Sequence, residues 1–303
     1  MVVAPTLVME TRTAVMGTRA EVLVRGGPPG LAARAVGRLH ELHARWSRFD
    51  SHSEVSALNR RPHSAIEVSA DTVLLVHRAV QAWILTDGAF DPTVLGALVA
   101  LGYDRSFDEG LDSCSRPAEP QPSPGCAGIE IDHERSTVRL GSAVGFDPGG
   151  IGKGLAADLV TNEVMAAGAS GVMVNLGGDL RVRGPGPQGQ AWPIAVREPM
   201  IADEELATVH LLDAALATST PCRRGWATAG GRNHHLVDPA SGRSHENPPV
   251  LVSAVAGEAW WAEAVTKAAL STDPDGLPEC AVFRRHRDGT TERFGAWDEY
   301  DHG

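Results

Sequence analysis

The sequence predicts an α+β protein with largely antiparallel sheets and flanking helices. Two observations carry this. Segments with apolar residues at helical spacing are interspersed with short strands joined by glycine turns, and they mix without the strict strand–helix–strand rhythm of a parallel sheet. No fixed repeat period is visible. With 303 residues, 43% of them hydrophobic and 21% charged, the chain is long enough to bury a large core as one domain spanning 1–303.

Residues 11–24 read as a strand pair interrupted at Met16-Gly17-Thr18. After Pro28-Pro29, a helix sets Leu31, Ala35, Leu39, Leu42 and Trp46 on one stripe and Arg34, Arg38, His40 and Glu41 on a polar one. A second helix starts near Ser69, with Asp71 close behind, and is expected to turn Val73, Leu74, His77, Val80, Trp83 and Ile84 inward. It ends at Thr86-Asp87-Gly88, where glycine suits the left-handed turn. Residues 105–128 shift to Pro, Ser, Asp, Glu and Gly, which continue neither a helix nor a central strand, so they read as an exposed loop. Strands resume at 129–131 and 137–140, and the glycine-dense stretch 145–154 leads into a helix over 155–167. Strands at 171–175 and 180–184 are joined by a tight Gly177-Gly178-Asp179 turn. Short strands continue at 194–197, 208–212, 216–218, 235–237 and 250–255, followed by a helix over 258–270 and a strand over 281–284. The acidic tail, 296–303, is expected to fray.

Composition excludes some classes. The 27 Lys+Arg against 38 Asp+Glu leave a net charge of −11, and such an excess of acid argues against sequence-independent nucleic-acid binding. No run approaches the length of a membrane span, and residues 1–10 lack the cationic start and apolar stretch of a secretory leader, so a cytoplasmic setting is expected. The cysteines, Cys114, Cys126, Cys222 and Cys280, have no metal-type spacing and read as unpaired thiols.

The most unusual local sequence is Asp147-Pro148-Gly149-Gly150-Ile151-Gly152-Lys153-Gly154. Glycines let backbone approach a ligand and aim successive N–H groups into a concavity, the following helix adds its positive end, and Lys153 adds a full charge. A diphosphate-bearing ligand fits that chemistry, and so does a plain structural turn. Gly152 to Ala157 matches the dinucleotide pattern G-x-G-x-x-A, but the hydrophobic strand that should precede it is missing, so a nicotinamide-linked dehydrogenase is disfavoured. Asp87-Gly88-Ala89-Phe90-Asp91-Pro92-Thr93 holds two carboxylates just after a helix, and Asp91, before proline, is held extended. Ala217-Thr218-Ser219-Thr220, followed by Arg223 and Arg224, reads as a phosphate or adenine contact or a solvated loop. In His234-His235-Leu236-Val237-Asp238-Pro239, His235 is the side chain best suited to proton transfer near neutrality.

The order of these pieces says more than any one of them. Met16-Gly17-Thr18, Arg48-Phe49, Ser53 to Asn59, GAFDPTV (88–94), DPGGIGKG (147–154), VNLGGDL (174–180), LATST (216–220) and HLVDPASG (235–242) occur in series. In this the chain resembles the FAD:protein FMN transferase (ApbE) family, from about residue 13 to residue 275. The resemblance implies an ApbE-like α+β fold that binds FAD and, with Mg²⁺, splits its pyrophosphate. FMN passes to a Thr or Ser hydroxyl of an acceptor flavoprotein, and AMP is released. It also implies roles. Met16 and Phe49 contact the flavin and adenine, Ala89, Phe90 and Asp91 contact FAD, and Asp147 and Lys153 do so from the glycine loop. The Gly150 carbonyl is a metal ligand, and His235 is the general base. The family's A-D-x-x-x-T metal motif is altered here to Ala262-Glu263-Ala264-Val265-Thr266-Lys267, so that Glu263 and Lys267 stand at the two ligand positions. A glutamate can coordinate Mg²⁺, whereas a lysine one turn on would pair with it. The expected function is therefore Mg-dependent FMN transfer, with FAD pyrophosphatase and non-catalytic FAD binding as alternatives.

Overall fold

The computed structural model describes residues 8–106, 119–201, 204–228 and 231–301. The chain opens with a hairpin, β1 (Val8–Val15) and β2 (Thr18–Arg25), whose two-residue turn holds Met16 and Gly17 at φ 53° and 65°. That is the left-handed geometry the twist of a tight hairpin selects. Helix α1 (Leu31–Trp46) buries the expected stripe of Leu31, Ala35, Leu39, Leu42 and Trp46. Next come α2 (Glu54–Arg60), capped by Ser53, the two-residue β3 (Ile66–Glu67), and α3 (Ala70–Leu85), capped by Ser69, whose hydroxyl accepts the Thr72 amide. They are followed by α4 (Leu95–Ala100), β4 (Glu130–Asp132), β5 (Thr137–Arg139), α5 (Gly152–Ala166), β6 (Gly171–Leu176) and β7 (Asp179–Arg183). A second run of strands comprises β8 (Trp192–Arg197), β9 (Glu205–Leu211), β10 (Asp213–Ser219), β11 (Gly225–Thr228) and β12 (Gly231–His234). The chain closes with β13 (Leu251–Ala256), α6 (Ala259–Ala268), β14 (Cys280–Arg285), β15 (Thr291–Phe294) and α7 (Trp297–Tyr300).

Eight strands form the main sheet in the order β1-β2-β6-β7-β10-β13-β14-β15, every neighbour antiparallel. The period of two sends alternate side chains to two cores. Val172, Val174, Ala215, Ala217, Val252 and Ala254 face α1, α5 and α6. Met173, Leu216, Leu251, Val255 and Phe283 face the β8–β9 hairpin and Trp297. Both faces of the central strands are thus covered, which is why β13 is buried along its whole length although it is antiparallel.

Helices α5 and α6 cross in close contact. A Cβ at Gly154 would lie 2.2 Å from the Ala259 carbonyl oxygen, so only glycine admits this approach. Asp158 of α5 caps α6 from outside, its carboxylate accepting the Ala259 and Trp260 amides at 2.8 and 2.9 Å. These bonds satisfy two of the first-turn donors that a helix leaves unpaired.

Several expectations need correcting. Helix α5 starts at Gly152 rather than 155, so the last glycines of the loop are helical and one of them serves packing. The inward face of α3 is Val73, Leu75, Val76, Ala79 and Ala82, while Ile84 is 64% exposed and His77 exposed. Apolar residues surround much of that helix, so their spacing did not single out a face. His235 to Val237 is not a strand; His235 follows β12 directly. The tail does not fray over 297–301, because Trp297 is fully buried and stacked on Phe283 at 5.4 Å; residues 302–303 lie outside the described residues. Much of the Pro-rich stretch, 107–118 with Cys114, also lies outside them, whereas Cys126, Cys222 and Cys280 are free thiols. Among the described residues no helix is long and apolar enough to cross a membrane.

Candidate active site

One wall of the site is built from local turns. Past the end of α3, Asp87 and Gly88 adopt φ 50° and 80°, and the Phe90 amide donates to the Thr86 hydroxyl at 3.0 Å, folding the chain back on the helix. Asp91 then forms an Asx turn, its Oδ1 accepting the Thr93 amide at 2.7 Å and the Thr93 hydroxyl at 2.6 Å. Burial raises the Asp91 carboxyl above its ordinary range, against the donors of Thr93 and Trp83. The Asp147 amide donates to the Pro92 carbonyl at 2.7 Å, fastening the glycine loop to this turn.

Helix α2 has a comparable duty. Asn59 accepts the Phe146 amide at 2.8 Å and donates to the Phe146 carbonyl at 2.9 Å, so it clamps the residue before Asp147. Asp147 Oδ1 accepts the Gly149 amide at 2.6 Å, and Oδ2 lies 3.1 Å from Arg48 Nε. The Arg48 guanidinium lies over two rings, 4.1 Å from the Phe49 centroid and 4.5 Å from that of Tyr103. The planar cation lies against two adjacent aromatic rings, an attractive arrangement for a guanidinium.

The opposite wall is an ion cluster assembled from distant parts of the chain. Glu263 of α6 is fully buried. Its Oε1 faces the Lys153 ammonium and, at 3.5 Å, that of Lys267; its Oε2 accepts the Gly154 amide at 2.7 Å. Lys153 also pairs with Asp179 at 2.7 Å, and Asp179 accepts the Thr218 amide at 3.2 Å. Burial disfavours the Lys153 charge, but Asp179 and Glu263 outweigh it and raise its pKa above the lysine norm. Burial likewise opposes the Asp179 charge and is overcome by Lys153 and Lys267, so that carboxyl sits low. For Lys267 burial prevails over Glu263 and Asp179, and its pKa is lowered.

The third wall comes from the β11–β12 hairpin. Its pairing, Gly225 opposite His234, sets Arg224 opposite His235. The His235 amide donates to the Arg224 carbonyl at 3.2 Å, and the ring Nδ1 lies 3.3 Å from the same oxygen. With Nδ1 donating in that contact, Nε2 is left as the proton acceptor. Burial and the Arg224 charge push the His235 pKa down to about 3, so the ring is neutral at physiological pH.

These walls enclose a cavity of about 470 Å³. Of the residues anticipated from sequence, Met16, Phe49, Phe90, Asp91, Asp147, Gly150, Lys153, His235 and Lys267 all line it. Ala89 and Glu263 are not among the lining residues; Ala89 is half-buried against the core and Glu263 is enclosed behind Lys153. Arg48, Tyr103 and Asp179 were not anticipated in these roles. The pair Arg48-Phe49 carried a signal, an arginine beside an aromatic. Asp179 read as a hairpin turn, and nothing in the sequence marked Tyr103.

The side chains at the expected metal positions, Glu263 and Lys267, do not fit Mg²⁺. A hard cation needs several free oxygen donors. Both Glu263 oxygens are taken by ammonium or amide donors, and Lys267 has no acceptor to offer. Thr266, the nearest hydroxyl, is turned to Ser219 at 2.7 Å and to the Glu263 carbonyl at 2.7 Å. Among the described residues no cluster of three or more His, Cys, Asp or Glu is suited to a metal ion.

The fold is thus an α+β sheet structure whose cavity joins a glycine loop, a lysine–carboxylate cluster and a half-buried neutral histidine. The chain belongs to the ApbE family, whose sequence profile matches residues 16–289. It is 28% identical to a Haemophilus influenzae protein named FAD:protein FMN transferase over 212 residues, 67% of this chain and 61% of that one. It is 30% identical to a Vibrio cholerae protein of the same name over 219 residues, 71% of this chain and 65% of that one. The chain therefore spans under two thirds of the length of these two relatives. The crystal structure of the ApbE protein from Thermotoga maritima superposes with a TM-score of 0.86 at 24% identity, covering 98% of this chain and 100% of that one, a likeness of fold.

Proposed function

We propose that the chain is an FAD:protein FMN transferase. Its substrate is FAD, its acceptor a threonine or serine hydroxyl of a flavoprotein, and its second product AMP. Support comes from family membership, from the activity its relatives are named for, and above all from one observation. A neutral histidine, two lysines and a guanidinium–aromatic wall converge on a single cavity of about 470 Å³. That volume lies within the range of small-molecule sites, roughly 300–1,000 Å³.

The reading assigns each wall a task. Met16, Phe49, Arg48 and Tyr103 offer flat and apolar surface to the rings of FAD. Phe90, Asp91 and Asp147 shape the pocket beside them, with Ala89 supporting the turn from behind. Lys153 and Lys267 meet the diphosphate. His235 Nε2 takes the proton of the acceptor hydroxyl as its oxygen attacks the phosphorus of the FMN half; the bond from that phosphorus to the bridging oxygen breaks, and AMP departs. Such transfers depend on alignment and charge compensation, and a positioned base contributes about 10²–10⁴-fold.

The test is incubation of the protein with FAD, magnesium and a threonine-containing flavoprotein acceptor. The expected result is a covalently fluorescent acceptor band with stoichiometric AMP. AMP without a labelled acceptor makes water the nucleophile and the protein an FAD pyrophosphatase. Bound but intact FAD makes it a binding protein and overturns transfer.

A further inference from the structure

We infer that the Lys267 ammonium takes the place of a metal ion in this chain, so that the FAD diphosphate is held by Lys153 and Lys267 and needs no divalent cation. This rests on the reading of the site as an FAD pocket and says what holds the anion within it. Three observations lead to it. First, the two carboxylates of the lysine cluster are already used. Glu263 is held by Lys153, Lys267 and the Gly154 amide, and Asp179 by Lys153 at 2.7 Å and the Thr218 amide at 3.2 Å. Second, Lys267 lies where the glycine loop turns. It lines the cavity, and its Cε would be 3.8 Å from a Cβ placed on Gly150, the residue expected to offer a metal ligand. Third, the substitution cannot be undone by the adjacent hydroxyl, since Thr266 is fully buried and committed to Ser219 and to the Glu263 carbonyl.

The charges fit. Lys153 and Lys267 against Glu263 and Asp179 make a cluster with no net charge, and both lysines line the cavity while Glu263 does not. An entering diphosphate therefore meets ammonium donors backed by buried carboxylates. A divalent ion in the same place would sit beside two ammonium groups with no free protein carboxylate oxygen in the cluster. The lysine at this position also differs from a metal in kind: it is covalently fixed, cannot be chelated, and offers N–H donors to phosphate oxygens.

FAD binding reads this out apart from catalysis. Quenching of FAD fluorescence by the wild-type protein is measured in excess EDTA and in excess Mg²⁺, and the affinity is expected to agree within about twofold. Lys267→Thr is expected to weaken FAD by about tenfold or more, as the loss of a charged hydrogen bond does, while Lys267→Arg retains most of the affinity. In Glu263→Asp combined with Lys267→Thr, added Mg²⁺ is expected to recover affinity. Melting curves of each variant exclude misfolding, and the wild-type comparison needs no variant at all. A wild-type affinity that falls about tenfold or more in EDTA overturns the inference and leaves the proposed function standing. FAD that binds under neither condition overturns both.

Discussion

The two sides of the cavity hold their carboxylates in opposite ways. Asp91 and Asp147 each accept an amide two residues ahead in a turn, with the Arg48 guanidinium added at Asp147. Glu263 is fixed by residues 109 and 110 positions away, an amide and an ammonium of α5. An Asx turn forms from a few residues and survives small changes nearby. A buried ion cluster exists only once the whole fold has closed, and each member depends on the others, because a charge stripped of its partner in a dry interior is costly. The turn side is therefore tolerant and the cluster side is not.

Removing Glu263 should give the largest effect. Glu263→Ala leaves Lys153 and Lys267 facing each other with one carboxylate, Asp179, between them, and it orphans the Gly154 amide at the α5–α6 crossing. Breaking a buried pair by deleting one partner costs about 3–5 kcal/mol. Urea unfolding should show that loss as a fall in midpoint with little change in slope. A variant within about 1 kcal/mol of wild type, the range of an exposed pair, would mean that the cluster is solvated and no different from a surface pair.

The same contrast explains what could be read from the sequence. The turns were legible because their chemistry is local. Ser69 capping α3, Gly88 ending the turn after it, the Gly177-Gly178 bend and Asp91 before Pro92 all act within a few residues. The buried stripe of α1 was legible because its polar face is distinct. The face of α3 was not, since Leu74, Val80 and Ile84 look as apolar as Val73 and Val76, and only packing decides among them. Lys153 was read as a ligand contact of the glycine loop and Asp179 as a hairpin residue; their pairing across β7 and α5 depends on strand order. Gly154 matched a nucleotide pattern, yet its lack of a side chain is demanded by the Ala259 carbonyl. Trp297, in a tail that looked merely acidic, anchors the second core, and its role becomes visible only when Phe283 is seen beneath it.

Intermediate in size is the effect of pH through His235. Its folded pKa of about 3 lies below the ordinary value near 6.5. Between these limits the unfolded chain binds a proton that the folded chain refuses, so stability is complete above about pH 6.5 and declines as pH falls toward 3. The rate has a different dependence. A histidine that stays neutral keeps the same protonation state throughout pH 5–8, so FMN transfer should lack the inflection near 6.5 that an exposed histidine base produces. His235→Gln should slow transfer by about 10²–10⁴-fold and remove the part of the acid-side slope in stability that this residue contributes. A rate that halves near pH 6.5 without loss of fold would show that the ring is solvated in the free enzyme.

The smallest change should come from Asp91→Asn, which sharpens the comparison because it alters charge without altering shape. Asn keeps the Oδ1 acceptor, so both the Thr93 amide and the Thr93 hydroxyl retain their bonds, and the hydroxyl still receives the Gly125 amide at 3.0 Å, while the Trp83 indole loses its acceptor to the new amide nitrogen. Since burial already disfavours the Asp91 charge, its removal is not a large loss. Stability should fall by about 1 kcal/mol, the worth of the one Trp83 bond. Asp91→Ala, by contrast, deletes the acceptor, leaves the Thr93 amide unpaired in a buried place, and costs about 1–3 kcal/mol. If Asp91 serves the cavity through its turn, FAD affinity should follow the same order, near wild type for Asn and reduced for Ala. Equal loss of FAD in both variants, with the Asn variant still fully folded, would transfer the role of Asp91 from shape to charge and remove it from the tolerant side of the site.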